Sequence, residues 1–343
     1  MHFLITGHTG FKGTWFSMLL QNLGHTVAGY SVGFERNALY ELVRDQGLFL
    51  SEEFGDIRDL TKFKNFMSHE NPDVLVHFAA QSLVRESHRN PEETFEVNVI
   101  GTLNCLQAAR SVNRDLICLV ITTDKVYKSS QKLQMFMEED PLEGSEPYGM
   151  SKAIADLAAN FWVSNGLLNR IAVARAGNVI GGGDVCPERL LPDLISAYSD
   201  GRSPVLRSPD AVRPWQHVLD CLSGYLAIIN DLASGGASDV WNIGPDLESH
   251  ATVKRVQEMT GEFFKQSTVT ISQVPDHLPE TEFLGLNSEK IRTRLGWSNI
   301  YDLSEAIEHT VSWHSKVDAG MSPFSVSVGQ IEEFLSRTKH KNS

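Results

Sequence analysis

Phe3-Leu4-Ile5-Thr6-Gly7-His8-Thr9-Gly10-Phe11-Lys12-Gly13 decides how the rest of this chain is read. An apolar run ends in a glycine, and two more glycines follow in Gly-x-x-Gly-x-x-Gly spacing. Trp15, Met18, Leu19 and Leu23 then recur at helical intervals up to Gly24. Strand, glycine turn and helix in that order let a pyrophosphate sit against backbone N–H groups at a helix N-terminus, where side chains would hold it off. The string alone also fits a bare turn. Its place between strand and helix makes Gly7, Thr9, Gly10, Phe11, Lys12 and Gly13 the candidate contacts of a dinucleotide.

Outward from that stretch, strand-like and helix-like segments alternate. Thr26 to Tyr30, Phe49 to Phe54, Val74 to Phe78, Leu116 to Thr122 and Ile171 to Ala174 read as strands, some with no polar alternation, as strands buried on both faces would be. Thr61 to Ser68 and Tyr148 to Trp162 read as helices. Pro91 opens a further long helix, with Phe95, Val99, Leu103 and Leu106 on one side. The alternation predicts right-handed crossovers and an α/β fold, a doubly wound parallel sheet of Rossmann type with a smaller C-terminal α/β substrate lobe.

After Gly177 the pattern breaks at Gly181-Gly182-Gly183 and a series of prolines, as loops around a binding site would. Val218 to Leu232 returns to helix, and Val240 to Gly244 is a strand that can rejoin the main sheet. Lys290 to Trp297 and Leu303 to Trp313 are late helices, and the polar end from Arg337 to Ser343 is expected to fray. The expected division is a nucleotide-binding domain of residues 1–177 with 216–244, a substrate lobe of 178–215 with 245–325, and a C-terminal tail of 326–343.

The 343 residues suit such a pair of lobes better than one core. The net charge of −13 argues against a nucleic-acid partner, which wants a basic face. Cations that bind an anionic substrate must then be placed locally. Cys105, Cys118, Cys186 and Cys221 show no metal or redox spacing and read as buried thiols in a reducing compartment. Met1 runs almost directly into the first strand, which leaves no room for a signal peptide, and no apolar stretch approaches a membrane span. A cytoplasmic chain with no metal and no membrane partner is expected.

The chemistry is concentrated in Thr122-Thr123-Asp124-Lys125, at the end of an apolar run, and in Tyr148-Gly149-Met150-Ser151-Lys152. Tyr148 and Lys152 share one helix face. A phenol is a poor base at neutral pH, with a pKa of ~10, and a nearby ammonium lowers that value. The amine can also hold a cofactor ribose. Thr123 is placed to hydrogen-bond the phenol and a reacting alcohol. Alone, the Tyr–Lys spacing is more often a surface helix pattern, but beside a dinucleotide loop it reads as a hydride-transfer set.

Asp124 and Lys125 exceed what hydride transfer needs. Once the 4-hydroxyl of a hexose is a ketone, the proton on carbon 5 is acidic, and its loss can expel the 6-hydroxyl as water. Asp124 as general acid needs a pKa raised by burial. Lys125 acts either as a base made neutral by burial and by the charge of Lys152, or as a cation stabilising the enolate. The competing reading is a solvated Asp–Lys pair at a strand end. At the adenosine end, Gly29-Tyr30-Ser31 lacks the acidic residue common in NAD sites, and Arg36 comes later than an NADP site places its arginine. Asp56 and Ile57 can meet the adenine, or Asp56 can cap a helix.

At these residues the chain resembles the extended short-chain dehydrogenase/reductase superfamily, and within it the nucleotide-sugar 4,6-dehydratases, those of CDP-glucose foremost. The matching strings are Thr6 to Gly13, Asp56 to Asp59, Ala79-Ala80-Gln81 with Leu83 to Arg85, Thr122 to Lys125, and Tyr148 to Lys152. Arg175 to Asp184, Arg213 to Val218, Ser223 to Tyr225 and Asn242 to Pro245 complete them, so the resemblance covers nearly the whole chain. It is specific at Asp124-Lys125, where the dTDP-glucose enzymes carry Asp-Glu.

The resemblance implies tightly bound NAD, regenerated in each cycle. Hydride transfer falls to Thr123, Tyr148 and Lys152, and elimination to Asp124 and Lys125. Ala79, Ala80 and Gln81 join the cofactor contacts. Asn178 and Arg213 contact the diphosphate of a nucleotide hexose, which an Arg fork suits, while a surface ion pair is the plain alternative for Arg213. Arg189 is a candidate for the nucleotide, and Trp215 and His217 for packing or capping. A homodimer or homotetramer is implied, built on the helices holding Phe95 and Tyr148. The chain departs from the CDP-type pattern at Lys132-Leu133-Gln134-Met135-Phe136, where an aromatic run is reduced to Phe136, and at Pro279 to Phe283. Both are expected to bear on substrate choice. Another nucleotide hexose, such as a GDP-linked N-acetylhexosamine, a nucleotide-sugar 4-epimerase and a non-catalytic NAD-binding protein are the alternatives.

Overall fold

The apolar runs become one parallel sheet in the computed structural model, which describes residues 1–113, 115–128, 134–265, 268–271 and 281–341. His2–Thr6 (β1), Phe11–Asn22 (α1), Thr26–Ser31 (β2), Leu39–Val43 (α2), Ser51–Phe54 (β3), Leu60–Glu70 (α3) and Val74–His77 (β4) alternate in the first part. Val84–Arg89 (α4) and Pro91–Phe95 (α5) lead through one wide turn of π-helix, Glu96–Ile100, into Gly101–Val112 (α6). Ile117–Thr123 (β5), Pro147–Ser164 (α7) and Arg170–Ala176 (β6) follow. Next come Asn178–Ile180 (β7), Leu190–Ser199 (α8), Val205–Leu206 (β8), Val212–His217 (β9), Val218–Ala233 (α9) and Val240–Ile243 (β10). The last elements are His250–Thr252 (β11), Val253–Phe263 (α10), Thr270–Ile271 (β12), Glu289–Leu295 (α11), Leu303–Asp318 (α12) and Pro323–Lys341 (α13).

The seven-stranded sheet runs β3-β2-β1-β4-β5-β6-β10, with β10 beside β6 as expected for the strand at Val240. Every pair in it is parallel. Chain direction across the sheet reverses between β1 and β4, and that switch point opens a crevice at the carboxyl ends of the strands. Alternate residues feed two cores. Phe3, Ile5, Ile117, Leu119 and Ile121 pack with α1 and α9 on one face, whereas Leu4, Cys118 and Val120 pack with Phe63, Met67 and Leu106 on the other. A small sheet of β11-β9-β7 extends from this body, and β8 pairs with β12. Among the described residues no helix is long and apolar enough to cross a membrane.

One detail and one expectation need revision. In the helix after Pro91, Phe95, Val99 and Leu103 are half-buried. The wide turn shifts its register, so that Thr94, Asn98, Thr102 and Cys105 face inward. Residues 326–341 are not a tail. They are part of α13, whose Val326, Ile331 and Phe334 belong to the same core as Phe16 and Trp15. Arg337 pairs with Glu305 at 2.9 Å and Lys341 Nζ donates to Asn299 O at 2.7 Å, so the polar end is bonded at least to Lys341. The stretch 129–133, with Lys132 and Leu133, lies outside the described residues, as do Pro279 and Glu280.

Candidate active site

The carboxyl ends of the central strands share one cleft of about 1280 Å3. Gly7 sits at φ 72°, and a Cβ there would stand 2.8 Å from the Ala79 nitrogen. A Cβ on Gly13 would stand 2.2 Å from the Gly7 oxygen. The glycines thus let the turn press against α1 and the exit of β4 together. Thr9, Gly10, Phe11 and Lys12 line the cleft beside them. A Thr9 Oγ1–Ser31 Oγ hydrogen bond of 2.8 Å ties the turn to the end of β2. Lys12 Nζ donates to the Tyr225 hydroxyl at 3.3 Å, and burial lowers its pKa.

Asp56 and Ile57 also line this groove. The Asp56 carboxylate accepts from Arg58 Nη2 at 2.6 Å and from the Arg58 backbone at 2.8 Å, and the guanidinium holds its pKa below the usual carboxylate range. It caps no helix, because Asp59 caps α3 by accepting from Lys62 N. Glu35, which the sequence reading passed over, also lines the groove. That reading looked for an acid only at the end of the second strand, and Glu35 comes after it. Ala79 and Ala80 line the cleft but Gln81 does not. Its Nε2 donates to Thr94 Oγ1 at 2.9 Å and its Oε1 accepts from Leu83 N at 2.6 Å, so this amide holds the loop after β4.

Thr123 ends β5 and Asp124 begins a single 3-10 turn, Asp124–Val126. Thr123 Oγ1 donates to Asp124 Oδ1 at 3.0 Å, and both residues line the cleft with Tyr148. Tyr148 stands in the first turn of α7, whose Glu146 cap accepts from the backbone N–H groups of Tyr148 and Gly149. Phenol, hydroxyl and carboxyl therefore share one cleft. Asp124 is only 3% exposed, and its Oδ2 has no partner among the described residues. Burial raises its pKa, against the pull of Lys125, Thr123 and Arg213. A buried acid whose pKa is raised, with one oxygen unpartnered on a cleft wall, is the arrangement that proton donation to a substrate oxygen needs. Lys125 is half-buried on the same wall.

Lys152 is buried, and its Nζ donates to the Ile121 carbonyl at 2.7 Å. Burial and the charge of Lys12 lower its pKa to about 8. The Tyr148 phenol is pushed up to about 12 by burial, against the pull of Thr123. The Lys152 amine itself is directed at the β5 backbone.

Asn178, Arg189 and Arg213 all line the cleft. Arg213 is 5% exposed. Arg189 pairs with Asp184 at 2.9 Å and reaches Ser82 Oγ at 3.3 Å. His217 is buried and caps α9 through Nδ1, and Trp215 Nε1 donates to Ala251 O, so both pack and cap as expected. Phe136 turns away from the cleft and stacks on Tyr127 at 4.8 Å and 3°, while Thr281 lines it.

The sequence profile of the GDP-mannose 4,6 dehydratase family matches residues 4–310. The chain belongs to this family. It is 34% identical to the CDP-glucose 4,6-dehydratase of Salmonella typhimurium, over 97% of this chain and 96% of that one. The dTDP-glucose 4,6-dehydratase of Bacillus anthracis, solved in complex with NAD, superposes with a TM-score of 0.80 at 26% identity, covering 94% of this chain and 99% of that one. A UDP-glucose 4-epimerase of Stenotrophomonas maltophila superposes with a TM-score of 0.82 at 21% identity, over 94% and 100% of the two chains, and shares the fold. Membership in the GDP-mannose 4,6 dehydratase family thus agrees with the fold, and the cleft carries the groups on which its chemistry can be argued.

Proposed function

We propose that this chain is an NAD-dependent nucleotide-sugar 4,6-dehydratase that acts on CDP-glucose. The observation that carries the reading is the buried Asp124, with one oxygen unpartnered among the described residues and the other hydrogen-bonded to Thr123, in the cleft that Tyr148 also lines. The glycine turn, open to a diphosphate and closed to any Cβ, fits NAD, and Gly7, Thr9 to Gly13, Asp56, Ile57, Ala79 and Ala80 would hold it. The carboxylate of Glu35 in the groove disfavours the extra phosphate of NADP. When bound, NAD accepts the hydride of carbon 4 and returns it to carbon 6, so the reaction involves no net oxidation.

The chain's own residues do the rest. Tyr148 takes the proton of the 4-hydroxyl, with Thr123 orienting both oxygens. Asp124 gives a proton to the 6-oxygen, which leaves as water, while Lys125 takes the proton of carbon 5 or stabilises the resulting enolate. A proton then returns to carbon 5. Asn178 and Arg213 hold the diphosphate and Arg189 the nucleotide side. Glucose on CDP is favoured by the Salmonella relative, which is named for that substrate. A 4-epimerase would use the same Thr–Tyr–Lys set but would leave the buried Asp124 without a task.

A homodimer goes with this reading. Ile154, Leu157 and Phe161 make a stripe on α7 that is 37%, 52% and 60% exposed, and Ile100, at the end of the wide turn after α5, is 47% exposed. The division into a cofactor lobe and a substrate lobe is part of the same proposal, as is a cytoplasmic location, where NAD and nucleotide sugars are made. The test is incubation with CDP-, dTDP-, GDP- and UDP-hexoses and mass spectrometry. Loss of one water from CDP-glucose without added reductant is expected. A new stereoisomer with unchanged mass would replace the reading with an epimerase.

A further inference from the structure

Tyr148, Lys152 and Asp156 recur every fourth residue on α7 and so form one row along it. Asp156 takes no part in the chemistry described above and is fully buried. Arg175 Nε reaches its Oδ2 at 2.9 Å and Arg175 Nη2 its Oδ1 at 2.7 Å, a fork-to-fork pair. Thr122 Oγ1 donates to Oδ2 at 2.8 Å, and Thr122 and Arg175 are partners across β5 and β6. The other arm of the guanidinium turns elsewhere. Arg175 Nη1 donates to the Tyr127 hydroxyl at 2.9 Å and to the Glu138 carbonyl at 2.8 Å. Tyr127 directly follows the turn Asp124–Val126, and its own hydroxyl donates to Asn242 Oδ1 at 2.6 Å. One buried arginine therefore grips both the helix that carries Tyr148 and Lys152 and the residue that ends the turn carrying Asp124 and Lys125.

We propose that Arg175 is a positioning residue that fixes the elimination pair, Asp124 and Lys125, against the hydride-transfer pair, Tyr148 and Lys152. The inference rests on the dehydratase reading. Such an enzyme acts at carbon 4 and then across carbons 5 and 6 of the same bound hexose, with the two residue pairs delivered by different elements. A displacement of about 1 Å between them costs on the order of a hundredfold in rate. Stability alone gives little reason for the arginine, since a buried ion pair is often matched or bettered by packed apolar side chains. What a planar fork adds is a fixed angle between the groups it bonds.

Tyr127→Phe tests this directly. It removes the bond between the guanidinium and the turn and keeps the ring stacked on Phe136. Arg175→Lys keeps the charge and loses the fork. Acid-quenched single turnovers of the NAD-loaded enzyme with CDP-glucose, read by mass spectrometry, separate the 4-keto hexose, which has lost hydrogen only, from the product, which has lost water. In Tyr127→Phe, oxidation at carbon 4 should stay within about twofold of wild type while water loss slows about tenfold, so the 4-keto hexose accumulates. Solvent deuterium should enter carbon 5 more slowly in step with water loss. Arg175→Lys should shift the partition the same way and further. Should it fail to fold, Tyr127→Phe decides alone. Equal slowing of both steps, or no change in either, in a Tyr127→Phe protein with the wild-type melting temperature would overturn the assignment. A wild type that forms neither species from CDP-glucose or any other nucleotide hexose in the panel would overturn the dehydratase reading, and this inference with it.

Discussion

Asp124 is where a single side chain has most to decide. Its raised pKa comes from burial, and its Oδ2 has no hydrogen-bond partner among the described residues. Asp124→Asn keeps the shape and removes the proton, so water loss should fall by about 10²- to 10⁴-fold with little change in KM, measured by steady-state kinetics of keto-sugar formation. Unchanged turnover would remove Asp124 from the elimination step. Asp220 offers a second test at this scale. Burial raises its pKa to about 7, although the Ile300 and Tyr301 N–H groups bond its carboxyl. The unfolded value is ~3.9, so the folded state binds more protons between those limits, and stability falls as pH rises across them. Its contribution is full below about 4 and lost as the pH passes about 7. Melting temperatures across that range should show a flatter slope for Asp220→Asn than for wild type. The site residues were legible because Thr123, Asp124 and Lys125 are consecutive and Tyr148 and Lys152 share a helix face. Arg175 was not, since its work depends on the register of β6 against β5 and on where α7 lies. The direction of the Lys152 amine was hidden for the same reason, and with it the rise of the Tyr148 pKa.

Among the elements, α7 serves two surfaces. Its inner row holds Tyr148, Lys152 and Asp156, and its outer stripe of Ile154, Leu157 and Phe161 is open. Phe161→Glu should therefore convert a dimer to a monomer with the same melting temperature to within a few degrees, read by sedimentation velocity. A monomeric wild type would remove the dimer proposal. The strands were legible because both of their faces are apolar, which leaves a continuous run. The wide turn at Glu96–Ile100 was not, because no residue type there announces an added residue in the helix. The α13 helix was missed on the polarity of Arg337 to Ser343, although Val326, Ile331 and Phe334 recur on one side of it.

Across the whole molecule, the last helix closes the same core that the first one opens. Val326, Ile331 and Phe334 are 5%, 0% and 1% exposed. Each buried side chain of this kind contributes about 1.5 to 3 kcal/mol, and a domain holds only about 5 to 15 kcal/mol in total. Deletion of residues 323–343 should leave a chain that is largely unfolded at 37 °C, seen as loss of a cooperative melting transition. A normal transition would mean that α13 is dispensable. The placement of β10 has a further outcome, in time rather than in space. On the ribosome, β6 is made well before Val240–Ile243, and the stretch 177–239 takes roughly 3 to 13 s to add at ordinary rates. For that interval an apolar central strand has one bare edge, the kind that neighbouring chains pair with. The yield of soluble protein should then depend on the speed of translation and the supply of chaperones as much as on the stability of the finished fold.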